Sequence, residues 1–222
     1  MSSIRAVLFD AGGTLIHVDG ARVCAAAGTA WEERAFESAE NRAVSAVQKW
    51  VRAHPRSTDA ERLPLFLETL LGELGVSPEL RAEAGRAVAA EHRRSNLWSR
   101  AYSDAAASLE TLRARGYRLG VISNADGRVR RLLEETNLSG HLDVVVDSSE
   151  AGVEKPDPRI FRVATDALGL EPMQCVYVGD IYEIDVLGAR AAGLDAILIG
   201  PGHAPEDVTR VANLTELVEL LP

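Results

Sequence analysis

Five short apolar runs punctuate the chain: Ala6–Phe9 and residues 119–122, 144–146, 175–178 and 196–199. Each has strand length and β-branched or bulky apolar content, and none alternates with polar residues. Strands that are apolar at successive positions are buried on both faces, as in a parallel sheet with helices packed above and below it. Helix-like segments or long crossovers follow the runs. The pattern predicts an α/β fold on a Rossmann-like, doubly wound parallel sheet.

The first run breaks the rhythm. Roughly 85 residues separate it from the next core helix, and no loop in a compact domain runs that far without structure of its own. Val23, Ala27, Ala30/Trp31, Ala43/Val44, Val47 and Trp50/Val51 fall near helical spacing on one long segment. Leu63, Phe66/Leu67, Leu70/Leu71 and Leu74 mark a second, stopped by Gly75. Ser77-Pro78 reads as the N-cap and first helical position of a third, which carries Leu80, Ala84 and Ala87/Val88. No strand signal is visible in this interval. The expectation is a helical domain over about residues 17–98, inserted into a core of residues 1–16 and 99–222, with linkers near 16–20 and 97–102.

Composition narrows the function classes. The 222 residues carry a net charge of −9, which gives no electrostatic footprint for nucleic acid or an anionic membrane, and neither is expected as a partner. No apolar run approaches the roughly 20 residues of a spanning helix. Met1-Ser2-Ser3-Ile4-Arg5 passes straight into the first apolar run, so no secretory signal is expected. Cys24 and Cys175 are far apart and lack metal-ligand spacing; they read as reduced core thiols of a cytoplasmic protein. The sequence is silent on oligomeric state.

In an open parallel sheet, ligands bind beyond the carboxyl ends of the strands. After the first run comes Asp10-Ala11-Gly12-Gly13-Thr14-Leu15, and after the second Ser123-Asn124. A loop beyond the third leads to Lys155-Pro156-Asp157-Pro158, and after the fourth comes Gly179-Asp180 with Asp185 five residues on. Like charges brought together raise one another's pKa unless a cation joins them. Asp10, Asp180 and Asp185 contribute three negative charges, which Lys155 and a divalent ion would balance. Oxygen ligands of this kind suit a hard ion such as Mg²⁺, with an oxygen-rich anion as the natural fourth party.

Taken in order, these four motifs resemble the haloacid dehalogenase-like superfamily of hydrolases, of the subfamily with a helical cap inserted after the first motif. The resemblance covers essentially the whole chain. It implies a sheet order of 5-4-1-2-3 in the numbering of the five runs, with the inserted helices as a cap that closes over the site. It also implies a Mg²⁺-dependent phosphatase acting on a small phosphorylated metabolite through an aspartyl-phosphate. The family's nucleophile falls on Asp10, its second-motif serine on Ser123 and its third-motif lysine on Lys155. Its metal site falls on Asp10, the Gly12 carbonyl, Asp180 and Asp185, with Asp185 better suited to hold a water or Lys155. Gly13, Thr14, Ser123, Asn124 and Lys155 are the expected phosphate-binding set.

One position departs from the family pattern. Its phosphatases carry Asp two residues after the nucleophile as general acid and base, and here that residue is Gly12. Its dehalogenases have Tyr there and lack the acidic Gly-Asp motif. Gly12 therefore leaves open a slow enzyme, a phosphate-binding or regulatory protein with little turnover, and a weaker phosphonoacetaldehyde hydrolase reading in which Lys49 forms an imine. His17 and Asp19 are candidate substitutes for the missing acid. Trp31 and Trp50 read as helix packing, Arg128, Arg130 and Arg131 as a solvated helix face, and Gly200-Pro201-Gly202-His203 as a strand-end loop.

Overall fold

A computed structural model describes residues 4–55, 57–201 and 205–222. Met1, Ser2, Ser3, Gly202 and His203, named in the sequence reading, lie outside the described residues. The chain divides into two compact units, Met1–His17 with Arg100–Pro222, and Val18–Ser99.

In chain order the elements begin with strand β1 (Ala6–Phe9) and strand β2 (Ile16–Val18). Helices α1 (Gly20–Ala27), α2 (Glu33–Ala53), α3 (Asp59–Glu73) and α4 (Pro78–Arg94) follow, and strand β3 (Trp98–Ala101) closes the excursion. Then come α5 (Ala105–Ala114), β4 (Arg118–Ser123), α6 (Val129–Glu135), β5 (Val144–Asp147), α7 (Ser148–Ala151) and α8 (Pro158–Leu168). The last are β6 (Cys175–Gly179), a π-helical turn at Tyr182–Val186, α9 (Leu187–Ala192), β7 (Asp195–Ile199), β8 (Arg210–Val211) and α10 (Leu214–Leu220).

Six strands form one parallel sheet in the order β5-β4-β1-β6-β7-β8. The five apolar runs stand in the expected order, and the two-residue β8 extends the sheet at one edge. Ala6, Val7, Leu8 and Phe9 of β1 are all fully buried, although successive side chains point to opposite faces. Leu8, Ile122, Tyr177 and Leu198 share a core with Ile160, Phe161 and Ala164 of α8 and with Ala189 and Ala192 of α9. A buried leucine of this kind contributes about 1.5–3 kcal/mol relative to exposure. The opposite face is as dry: Val7, Leu119, Val121 and Val178 are buried there.

The inserted unit is helical for physical reasons the chain displays locally. Along α2, Phe36, Ala39, Ala43, Val47 and Val51 form one buried stripe at helical spacing. Thr58 and Glu61 close a capping box at the start of α3. Ser77 and Pro78 occupy the N-cap and first position of α4, as their types dictate. Two expectations are corrected. The long first segment is two helices, because Gly28 ends α1 in a left-handed conformation at φ +70°. β2 and β3 pair into a two-stranded sheet where no strand was expected; at three and four residues they are too short to establish an alternating pattern. No described helix is long and apolar enough to cross a membrane.

Candidate active site

Every predicted motif residue lies in the sheet-bearing unit, at the carboxyl ends of β1, β4 and β6 or in the segments beyond these strands and β5. Parallel register makes this unavoidable. Phe9 stands opposite Val121 on one side and Val178 on the other, so Asp10, Ser123 and Asp180 leave the sheet from neighbouring strands. Asp10 N–H donates to the Val178 carbonyl at 2.8 Å, which pins the nucleophile candidate to β6.

Lys155 is the hub. Its Nζ donates to Asp10 Oδ1 at 2.7 Å, to Asp185 Oδ1 at 2.8 Å and to Tyr177 Oη at 2.9 Å, so all three ammonium protons have buried partners. The lysine side chain is only 3% exposed, which makes that satisfaction obligatory. Burial alone would lower its pKa, but the charges of Asp10 and Asp185 raise it well above the ordinary lysine value.

Two glycines permit this crowding. A Cβ on Gly179 would come 2.4 Å from Asp185 Cγ, and one on Gly13 would come 2.5 Å from Asp180 Oδ2. Gly13 also has φ +79°, a conformation side chains rarely adopt. Its N–H donates to the Ile16 carbonyl at 2.8 Å. Gly13 thus shapes the loop and admits Asp180, and its amide already has a partner. Gly12 bridges to Ile16 and has no positive φ.

The carboxylates of Asp10, Asp180 and Asp185 bring ligand oxygens within 4.8 Å of one another. Burial pushes Asp10 up to about 6; the Lys155 charge pulls it down and the Asp185 charge pushes it up again. Asp180 is raised well above the ordinary carboxylate value, first by burial and then by Asp185 and Asp10. Three acidic groups against one ammonium is a surplus that a divalent cation would relieve, and hard oxygen donors match such an ion. Thr14 adds a second sign of a missing partner: its Oγ1 is buried and has no hydrogen-bond partner. Asp185 has both carboxylate oxygens engaged. Its Oδ1 accepts from Lys155 and its Oδ2 accepts from Ile181 N–H at 2.9 Å.

Ser123 ends β4, buried and in register with Asp147. The Asn124 side chain has partners within the protein. Its Nδ2 donates to the Lys155 carbonyl at 3.0 Å while its Oδ1 accepts from Lys155 N–H at 2.7 Å. The side chain acts as a clip on the Lys155 backbone.

The candidate substitutes for an acid each make a contact of their own. The His17 ring packs on Tyr102 with centroids 4.9 Å apart. Asp19 caps α1 by accepting from Arg22 N–H at 3.2 Å. Lys49 is exposed on α2. Trp31 packs on Phe36, and Trp50 stacks on His54. Arg128, Arg130 and Arg131 pair with Asp126, Glu150 and Glu135 on the surface.

Sequence reasoning missed Tyr177 and Asp147. Tyr177 sits in an apolar strand, where periodicity marks it as core and nothing marks its hydroxyl. Asp147 is buried and accepts from Gly127 N–H at 2.9 Å and from Ser149 N–H at 3.0 Å, tying the loop after β4 to the end of β5.

Comparison with known proteins identifies the family of the chain. A family model for haloacid dehalogenase-like hydrolases matches residues 4–193. A phosphoserine phosphatase of Thermus thermophilus is 38% identical over 153 residues, 66% of this chain and 60% of that protein. The haloacid dehalogenase-like hydrolase domain-containing protein 3 of Bos taurus is 44% identical over 124 residues, 53% of this chain and 49% of that protein. The chain thus spans about half to three-fifths of the length of these relatives. Among solved structures, a dehalogenase with an intermediate complex is similar over 100% of this chain and 98% of its own, with TM-score 0.68 and 26% identity.

Proposed function

Because the chain belongs to the haloacid dehalogenase-like hydrolases, we propose that it is a Mg²⁺-dependent phosphatase of small phosphorylated metabolites that works through an aspartyl-phosphate on Asp10. The observation that carries this reading is the meeting of three carboxylates within 4.8 Å around one buried lysine. A dehalogenation site has no use for that surplus of negative charge; a phosphoryl-transfer site needs it to hold a cation.

The donor set fits Mg²⁺, held by Asp10, Asp180 and the Gly12 carbonyl, with Asp185 and Lys155 beside it. When bound, the ion supplies positive charge that offsets the carboxylates and draws charge from the phosphoryl oxygens. The chain's own residues do the rest. With Oδ1 of Asp10 held by Lys155, Oδ2 is the oxygen assigned to the attack on phosphorus. A bond forms from Asp10 to phosphorus, and the bond from phosphorus to the leaving oxygen breaks. Lys155, the Ser123 hydroxyl and backbone N–H groups of the loops stabilise the equatorial oxygens. Water then attacks the aspartyl-phosphate, releasing inorganic phosphate and restoring the carboxylate. We further assign the helical unit of residues 18–99 the role of a cap that excludes water during the reaction.

Gly12 sets the limit on this chemistry. No side chain at that position can protonate a leaving alkoxide or activate the water, help worth about 10²–10⁴ in rate. That observation favours a second reading, a phosphate-binding or regulatory protein with weak turnover. The two separate in one assay on a panel of phosphoesters, with and without Mg²⁺. Metal-dependent release of phosphate that vanishes in Asp10→Asn supports the phosphatase. Mg²⁺-dependent binding of inorganic phosphate without turnover supports the binding protein.

A further inference from the structure

Tyr177 is fully buried in the middle strand β6, two residues before Gly179. Its ring packs edge-on against Phe161, with centroids 4.9 Å apart. An apolar side chain would satisfy that environment as well. The hydroxyl is what needs explaining, and it has two partners. It accepts from Lys155 Nζ at 2.9 Å and donates to the Ile122 carbonyl at 3.0 Å. The second bond anchors it to β4, one residue before Ser123.

We propose that Tyr177 is a positioning residue, whose hydroxyl holds the Lys155 ammonium at a fixed point between Asp10 and Asp185. This inference rests on the phosphatase reading for its kinetic consequences, but its structural half stands alone. An ammonium has three N–H donors and here faces two carboxylates and one neutral oxygen. The carboxylates pull it with charge; the tyrosine is the one partner whose pull is directional and neutral. Like Asp185, it does not change during the reaction, whereas Asp10 exchanges its charge for an ester to phosphorus. Without the hydroxyl, one buried ammonium proton loses its acceptor, and the lysine moves toward the carboxylates to recover the loss. A tighter pair with Asp10 quenches the nucleophile, and the lysine then stands away from the phosphoryl oxygens it must stabilise. The loss falls on the chemical step more than on substrate binding.

Tyr177→Phe removes the hydroxyl and keeps the ring on Phe161. Lys49 and Lys155 are the only lysines in the chain, and Lys49 is exposed, so ammonium resonances are assignable by inspection. In ¹⁵N–¹H spectra of the wild-type protein, Lys155 should give a slowly exchanging ammonium signal with Overhauser contacts to the Tyr177 ring, and Tyr177→Phe should lose the slow exchange. On an aryl phosphate the variant should show kcat lower by about tenfold, the scale of one net hydrogen bond to a charged group, with KM within about twofold. Unchanged ammonium exchange in a folded Tyr177→Phe protein would overturn the proposal, as would a rise in KM at constant kcat. Should the variant fail to fold, the wild-type Overhauser contacts decide alone: their absence refutes the proposal. If no phosphoester is turned over even by the wild type, the phosphatase reading falls, while the ammonium signal still tests Tyr177.

Discussion

Asn124 grips the backbone of Lys155 from both sides: Lys155 N–H donates to Asn124 Oδ1 at 2.7 Å, and Asn124 Nδ2 donates to the Lys155 carbonyl at 3.0 Å, across 31 positions of sequence. This clip sets where the buried ammonium begins its reach toward Asp10. Asn124→Ala leaves a partly buried N–H and C=O without partners, so stability should fall by about 2 kcal/mol. Urea unfolding should show the lower midpoint at an unchanged slope, together with reduced kcat/KM. A midpoint equal to that of wild type would remove the clip from the account.

Gly179 makes room for the carboxylate that holds Lys155. Gly179→Ala places a methyl where Asp185 Cγ now stands, 2.4 Å away, and the carboxylate must move. A misplacement of about 1 Å in such a site costs on the order of 10² in rate. Gly140→Ala, where an added Cβ meets nothing, is the control and should leave activity unchanged. Equal activity in both variants would show that Asp185 is not held where the chemistry needs it.

Much of this site was legible in the sequence because its parts obey local rules. Asp10, Ser123 and Asp180 follow apolar runs directly or after one glycine, and parallel register then brings strand ends together whatever the rest of the chain does. What stayed hidden depends on contacts far apart in sequence. The Asn124 clip and the Tyr177 bond are made between loops and strands 31 and 22 positions apart, and no periodicity encodes them. The β2–β3 pair was hidden for another reason: strands so short carry no pattern, and pairing alone defines them. Gly28 was legible in principle, since a glycine inside a helical pattern weakens the helix there and can mark its end.

Glu40 on α2 gives the inserted unit a pH signature. Burial, helped by the charge of Glu37, raises it from the ordinary 4.5 to about 7. The folded state therefore binds its proton more tightly than the unfolded chain. This contribution to stability is full below about pH 4.5, falls as the pH rises through about 7, and is gone at about pH 8. Glu40→Gln keeps the neutral form at every pH. It should raise the thermal midpoint at about pH 8 and leave it nearly unchanged at about pH 4; an equal shift at both would contradict the assignment.

Gly12 is open to repair. The left-handed backbone of this loop belongs to Gly13, so position 12 can accept a side chain without conformational strain. Gly12→Asp should speed hydrolysis of alkyl phosphates, whose leaving groups need a proton, by up to about 10²–10⁴. Aryl and acyl phosphates, which depart as stable anions, should gain much less. A folded, Mg²⁺-binding Gly12→Asp protein with no preference for alkyl substrates would discard the missing-acid explanation.

The central claim is a covalent phosphate on Asp10, and with no acid–base group at position 12 its hydrolysis should be slow enough to catch. Rapid quenching of the protein with Mg²⁺ and a reactive aryl phosphate, followed by borohydride reduction and peptide mass spectrometry, reads the modified residue directly. The account predicts a burst of aryl alcohol equal to the protein concentration and homoserine at position 10 in place of Asp10. Turnover without a burst, with Asp10 recovered intact and Asp10→Asn equally active, would contradict it.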